Sequence, residues 1–223
     1  DRGNLTEVTY PDGSKVAYAY DGEGNLETVR APEGDYRYAY NEVGSPVSLK
    51  RPDGTTTTYE YDSEGRLLLL ENRGAGGALI SSFAYGHDGE GNPMSEASVS
   101  TDAAGAVTRS MRTFSYDADG RLASFEETSE GPAPAHFRED YEWDAAGNRI
   151  GVTRTNLALG GIEKTSYRYD DGDRLVSEVG PQGATSYEYD KAGNLVRKAS
   201  PDADPVEYAW AVENRLAAVR QGG

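Results

Sequence analysis

Tyr59-Glu60-Tyr61-Asp62-Ser63-Glu64-Gly65-Arg66-Leu67 decides the fold. Two tyrosines alternate, an Asp follows, a Gly comes three residues later, and a polar residue plus an aliphatic restarts the chain direction. Side chains at a spacing of two share one face of a strand. Asp bonds its own backbone and opens a turn, and Gly supplies the positive φ that ends a three-residue hairpin loop. The phrase therefore encodes strand, turn and return strand.

It recurs along the whole chain. The Asp-x-x-Gly step, or a near relative, begins at Asp21, Asn41, Asp62, Asp88, Asp117, Asp144, Asp170 and Asp190, with a worn copy at Ala211. A fixed period is the signature of a repeat architecture. The basic unit is about twenty residues, and the central units carry insertions. Asn214 stands where other copies have Gly, and Asn tolerates positive φ best among side chains. In Tyr169-Asp170-Asp171-Gly172-Asp173-Arg174-Leu175 the Gly sits one place early, which predicts a different turn there.

Each unit has a second turn, written Pro11-Asp12-Gly13, Pro32-Glu33-Gly34, Pro52-Asp53-Gly54 and Pro181-Gln182-Gly183 in the short copies. Pro presets φ, and Gly is expected to take a left-handed conformation. The insertions lie at this second turn and predict long or flexible tips around residues 72–78, 101–106, 129–136 and 156–162. One sheet edge is then regular and the other ragged.

Between turns, Thr55-Thr56-Thr57-Thr58-Tyr59-Glu60-Tyr61 and its relatives are β-branched and aromatic, as strands are. No stretch holds a helical period. Two strands per unit and about nine units predict on the order of eighteen to twenty strands. A lone hairpin is marginal in water, so each must lie on the next. The fold class is all-β: tandem antiparallel hairpins in a twisted, spiralling sheet over residues 1–223, about nine to ten units. Tyr18, Tyr38, Tyr59 and Tyr187 are expected to form aromatic columns across neighbouring hairpins. The chain opens mid-phrase at Asp1-Arg2-Gly3-Asn4-Leu5, which reads as the tail of a repeat and predicts a fragment of a longer repeat array.

Composition narrows the function. Lys plus Arg number 22 against 38 Asp plus Glu, a formal charge of −16. That disfavours nucleic acid and anionic membranes as partners. No apolar run reaches the roughly 20 residues of a membrane span. With no cysteine, disulfides and Cys-based metal sites are excluded.

The candidate sites read as structural. Asp62/Glu64, Asp88/Glu90 and Asp117/Asp119 resemble paired catalytic carboxylates but recur with the repeat. Asp170-Asp171-Gly172-Asp173 and His87-Asp88-Gly89-Glu90-Gly91-Asn92 have the oxygen density of calcium loops without the twelve-residue loop spacing. His87 and His136 read as loop residues with no second ligand at metal spacing. Trp143 and Trp210 replace the second Tyr of their units and mark the same slot. Asp204-Pro205-Val206-Glu207 continues the second-turn pattern. No nucleophile elbow or phosphate loop is present. Catalytic, cofactor-binding and metal residues are accordingly expected to be none.

The phrase Tyr-x-Tyr-Asp-x-x-Gly-Asn/Arg-Leu resembles the YD repeat of the Rhs family, best at Tyr59–Leu67, Phe114–Leu122 and Tyr187–Leu195, and the likeness runs through essentially the whole chain. Relatives include bacterial Rhs polymorphic toxins, insecticidal toxin complex B and C components, wall-associated proteins and teneurins. The resemblance implies a sheet spiralling into a hollow shell that encloses a C-terminal toxin or effector domain. It implies a non-catalytic module, not an enzyme, secreted or displayed at a bacterial surface for toxin delivery. The partners it implies are the enclosed domain and the remaining shell repeats. The competing expectation is an extracellular adhesion module that binds surface glycans through its tips and tyrosines.

Overall fold

The structure is a computed structural model, and it describes residues 3–222. Asp1 and Arg2 of the opening half-phrase lie outside the described residues. Nineteen strands and no helix are found among them: β1 Glu7–Thr9, β2 Lys15–Tyr20, β3 Leu26–Ala31, β4 Gly34–Tyr40, β5 Pro46–Lys50, β6 Thr56–Tyr61, β7 Leu67–Arg73, β8 Leu79–His87, β9 Pro93–Thr101 and β10 Val107–Tyr116. Then follow β11 Leu122–Glu130, β12 Ala135–Trp143, β13 Arg149–Asn156, β14 Gly161–Tyr169, β15 Leu175–Gly180, β16 Gly183–Tyr189, β17 Leu195–Ser200, β18 Ala203–Trp210 and β19 Leu216–Gln221.

The chain forms two compact units. The first runs through Thr113 and includes Glu127–Ala135; the second holds Phe114–Glu126 and the residues from His136 on. In the first, β1 to β10 pair in chain order, each antiparallel to the next. In the second, β12 to β19 do the same. Even-numbered strands end in the repeat's second aromatic position, and odd-numbered strands return.

Register explains the repeat's spacing. Tyr61 pairs with Leu67, and the register slips by one between Glu60 and Tyr61. The same slip occurs at Ala19/Tyr20, Ala39/Tyr40, Glu142/Trp143 and Glu188/Tyr189. A bulge beside each first turn adds local twist.

No hydrophobic side chain among the described residues is fully buried. Thr57, at 2% exposure, is the buried polar residue. Its hydroxyl donates to Asn72 Oδ1 at 2.7 Å and accepts from Arg51 at 2.9 Å. Each hairpin therefore holds its neighbour mainly through ladder bonds and half-covered side chains. That is the nearest-neighbour energetics of repeat proteins.

Three expectations need correction. Rings do not stack from hairpin to hairpin as a continuous tyrosine column. Tyr18 faces Val29, which faces Tyr36, and Tyr59 faces Leu70, which faces Phe83. Two strand spacings separate the aromatic strands by about 9.5 Å, beyond ring contact. Ring contacts occur where a return strand itself carries a ring: Phe125 lies 5.6 Å from Phe114 and 5.7 Å from Phe137.

The insertions lengthen strands, not tips. β8, β9, β11, β12 and β14 have 9 residues and β10 has 10. The expected flexible tip is a tight turn, with Gly74 N bonded to Ala78 O and Gly77 N to Gly74 O, both at 2.8 Å. His87 and His136 lie in strands, at the end of β8 and in β12.

Candidate functional site

The repeated chemistry gathers at the first turn. In the third copy Asp62 N donates to Arg66 O at 2.9 Å and Gly65 N to Asp62 O at 3.1 Å. Asp62 Oδ1 accepts from the Glu64 and Arg66 amides, both at 2.9 Å. Gly65 has φ of 82°, Gly120 76° and Gly193 86°. Asn214 takes the same slot at 55°. The Asp170 copy, read from sequence as a different turn, is the same one. Asp170 N bonds Arg174 O and Asp173 N bonds Asp170 O, both at 3.0 Å. Asp173 takes the left-handed slot at φ 57°. Position in the loop, set by Asp170 and Arg174, overrides the displaced Gly.

Two contacts then tie each turn to its neighbour. The first belongs to the second aromatic. Tyr20 Oη donates to Leu5 O, Tyr40 to Leu26 O and Tyr61 to Pro46 O, each at 2.9 Å. Tyr169 donates to Arg149 O at 3.1 Å and Tyr189 to Leu175 O at 2.9 Å. The indoles of Trp143 and Trp210 do the same to Leu122 O and Leu195 O. For Tyr40, Tyr61, Tyr169, Tyr189 and both indoles the acceptor is the first residue after the preceding turn. This is why Tyr and Trp interchange there: both have a ring to bury and one donor.

The second contact comes from the residue after the Gly. Arg66 Nε donates to Asp62 Oδ2 at 2.6 Å, and its Nη1 reaches Asp88 O of the next turn at 3.0 Å. Arg121 bridges to Asp144 O at 3.0 Å and Arg174 to Asp190 O at 3.4 Å. Asn is shorter and bridges only where the next turn offers a side chain in the left-handed slot. Asn148 Nδ2 reaches Asp173 Oδ1 at 2.8 Å, and Asn194 Nδ2 reaches Asn214 Oδ1 at 3.1 Å.

These bonds set the carboxylate electrostatics. The Arg174 side chain and backbone hold the Asp170 carboxyl down at about 2. The Asp62 carboxyl is lowered by the Arg66 amide and guanidinium, and Asp88 and Asp190 by the side-chain amides of Asn92 and Asn194. Such acids stay ionised at neutral pH and are committed to turn donors. Tyr141 is pushed up to about 12 by desolvation and by its hydroxyl's bond to Glu139.

The structure thus places Asp62/Glu64 and Asp117/Asp119 around their own Arg66 and Arg121, with Glu64 and Asp119 at 3.0 and 2.9 Å. Among the described residues, no three His, Cys, Asp or Glu converge as a metal group. His136 Nε2 lies 3.2 Å from Glu126. His87 occupies the slot of the second aromatic, and its buried Nδ1 has no hydrogen-bond partner among the described residues. Sequence reasoning missed this because it placed His87 in the turn; its position directly before Asp88 was the available signal.

The second turns stack differently. A Cβ on Gly34 would lie 2.8 Å from Pro52 Cβ, and one on Gly183 would lie 2.6 Å from Pro201 Cγ. Gly34 and Gly183 have φ of 131° and 99°, against 84° at Gly13 and 82° at Gly54. Gly34 and Gly183 pair across two-residue loops with Ala31 and Gly180. There the Gly admits the neighbouring hairpin's proline as well as permitting the turn.

A turn with these contacts is a joint between hairpins. The family model described as RHS Repeat matches residues 1–36, 40–78 and 169–205, half of the chain. The chain belongs to the RHS repeat family. Among curated proteins it is 28% identical over 194 residues to Double-stranded DNA deaminase toxin A of Burkholderia cenocepacia (strain H111), covering 82% of this chain and 11% of that protein. A structure of the Photorhabdus luminescens Tc holotoxin pore aligns over 99% of this chain and 13% of its own, with a TM-score of 0.67 and 16% identity. A crystal structure of TcdB2–TccC3 without its hypervariable C-terminal region aligns over 99% and 15%, with a TM-score of 0.53 and 13% identity. The RHS repeat chain shares their fold and spans little more than a tenth of these relatives' lengths.

Proposed function

We propose that this RHS repeat chain is a length of wall in a larger shell that encloses a C-terminal toxin or effector domain, and that it performs no catalysis itself. The observation that carries the reading is the use of the repeat's own polar groups. Asp, Gly, the Arg or Asn after it and the aromatic donor are all engaged in joining one hairpin to the next. Carboxylates that would suggest chemistry are bonded to turn amides and to the following arginine. The hydroxyls at the second aromatic position, those of Tyr20, Tyr40, Tyr61, Tyr169 and Tyr189, go to backbone carbonyls, which favours packing over sugar binding there. Relatives named as toxins support a bacterial toxin context and, in this reading, export from the producing cell. The remaining repeats and the enclosed domain are then the partners.

Limited proteolysis of the full-length gene product tests this. The region C-terminal to the repeats should resist protease at concentrations that degrade the same region expressed alone. It should become sensitive when joints are broken by Asp62→Ala with Arg66→Ala. Equal cleavage in the intact product and in the isolated region would overturn the reading.

A further inference from the structure

The joints between first turns are not all closed. Asn25 Nδ2 bonds Asp21 Oδ2 of its own turn at 3.0 Å and makes no bond to the next turn, Asn41–Ser45. The left-handed slot of that next turn is Gly44, which has no side chain to meet it. A cavity of about 730 Å³ lies between these two turns, lined among others by Asp21, Glu23, Glu27, Tyr38, Tyr40 and Glu42. No lysine or arginine is in its lining.

The third copy shows what fills such a gap. Arg66 is held there by Asp62 Oδ2 at 2.6 Å, Glu64 Oε2 at 3.0 Å and Asp88 O at 3.0 Å. It runs past Gly91, whose Cβ position is 3.9 Å from Arg66 Cδ, as Gly44's is 3.7 Å from Asn25 Oδ1. The first copy keeps equivalents of all three acceptors: Asp21, Glu23 and the Asn41 carbonyl. Only the guanidinium is replaced.

The sequence marks the same mismatch. An acid two residues before the joint residue pairs with Arg in Glu64/Arg66, Asp119/Arg121 and Glu213/Arg215. Ala stands there beside Asn in Ala146/Asn148 and Ala192/Asn194. Glu23/Asn25 and Glu90/Asn92 keep the acid without an arginine, and Gly172/Arg174 has the arginine without the acid; the cavity described above lies at the first of these. The second copy, with Asn41, Val43 and Ser45, has lost the acids as well.

We infer that the notch between the Asp21–Asn25 and Asn41–Ser45 turns is a receptor for an arginine side chain of a partner polypeptide. The guanidinium would donate to the Glu23 carboxylate and the Asn41 carbonyl, with Asp21 beside it. Its planar donors suit two acceptors at once, which an ammonium does not match. The surrounding carboxylates steer a cation in and reject an anion. This site does not depend on the encapsulation reading.

The test is a ¹H–¹⁵N titration of the chain with Nα-acetyl-arginine amide, against the neutral citrulline analogue. Saturable shifts are expected at Glu23, Asn25 and Asn41–Gly44 with the arginine compound alone. Asn25→Arg, which supplies the missing side chain internally, should weaken binding at least about tenfold. Glu23→Gln, which leaves the turn bonds of Asp21 in place, should weaken it roughly three- to fivefold. The inference is overturned by the absence of saturable shifts, by equal shifts with citrulline, or by both variants binding as the parent does.

Discussion

Replacing Tyr40 by Phe removes one oxygen and tests the joint directly. The Tyr40 hydroxyl donates to Leu26 O at 2.9 Å, in a half-buried position where desolvation already raises its pKa. A net hydrogen bond of this kind contributes about 1 kcal/mol, within roughly 0.5–1.5. Tyr38 is the control. It lies two residues earlier in β4, faces Leu49, and its hydroxyl makes no bond to a described residue. The two variants therefore change the same atom in the same strand, with and without a partner. Because hairpins couple to nearest neighbours, a global melt would dilute the effect. Native-state hydrogen exchange on the amides of β3 and β4 reads it locally. Tyr40→Phe should speed exchange there about fivefold, the equivalent of roughly 1 kcal/mol, while Tyr38→Phe leaves it within experimental scatter. Equal effects from both, or none from Tyr40→Phe, would refute the assignment of the second aromatic as a hydrogen-bonding joint.

The other expectations concern turns, titration and the odd repeat. Gly34→Ala should destabilise by more than about 1 kcal/mol, because its Cβ would meet Pro52 and its φ is 131°; Gly65→Ala, with no atom within 4 Å, should cost less and only through its backbone. Urea midpoints of the two variants check the order. Asp170 is lowered to about 2 by its bonds to Arg174, so its folded pKa lies below the unfolded value near 3.9. Its stabilisation is then complete above that value and is lost as pH falls through about 2. Asp170→Asn keeps an oxygen for the turn amides, as Asn41 does for Ser45, and should flatten that acid limb in melts taken from neutral pH downwards. A limb unchanged by the substitution would contradict the assignment. His87→Tyr should place a hydroxyl at the Leu67 carbonyl and replace a buried unpartnered nitrogen, raising stability by about 1 kcal/mol; a lower urea midpoint would count against the shared slot.

The turns and strands were legible because their chemistry is local. Asp62, Gly65 and Pro52 each act within a few residues, so about eighteen to twenty strands could be expected where nineteen are found among the described residues. The joints were not legible, because they connect positions whose spacing varies with strand length. Tyr40 reaches back 14 residues to Leu26, and Tyr169 reaches back 20 to Arg149. Arg66 reaches forward 22 to Asp88 and Arg174 only 16 to Asp190. A period read along the chain does not reveal such contacts until register is known. The Asp170 turn misled for a related reason. Glycine is the cheapest occupant of a left-handed slot, yet the loop's closing bonds decide where that slot falls, and Asp173 accepts it. The insertions looked like tips because glycines cluster in them, whereas Gly74 and Gly77 close an ordinary turn on lengthened strands.

Encapsulation is best tested by locating the C-terminal region in the full-length product by electron cryo-microscopy. The account expects density for that region enclosed by the repeat wall, with this segment part of an unbroken run of hairpins. A C-terminal domain resolved outside the wall, with the enclosed space empty, would contradict it.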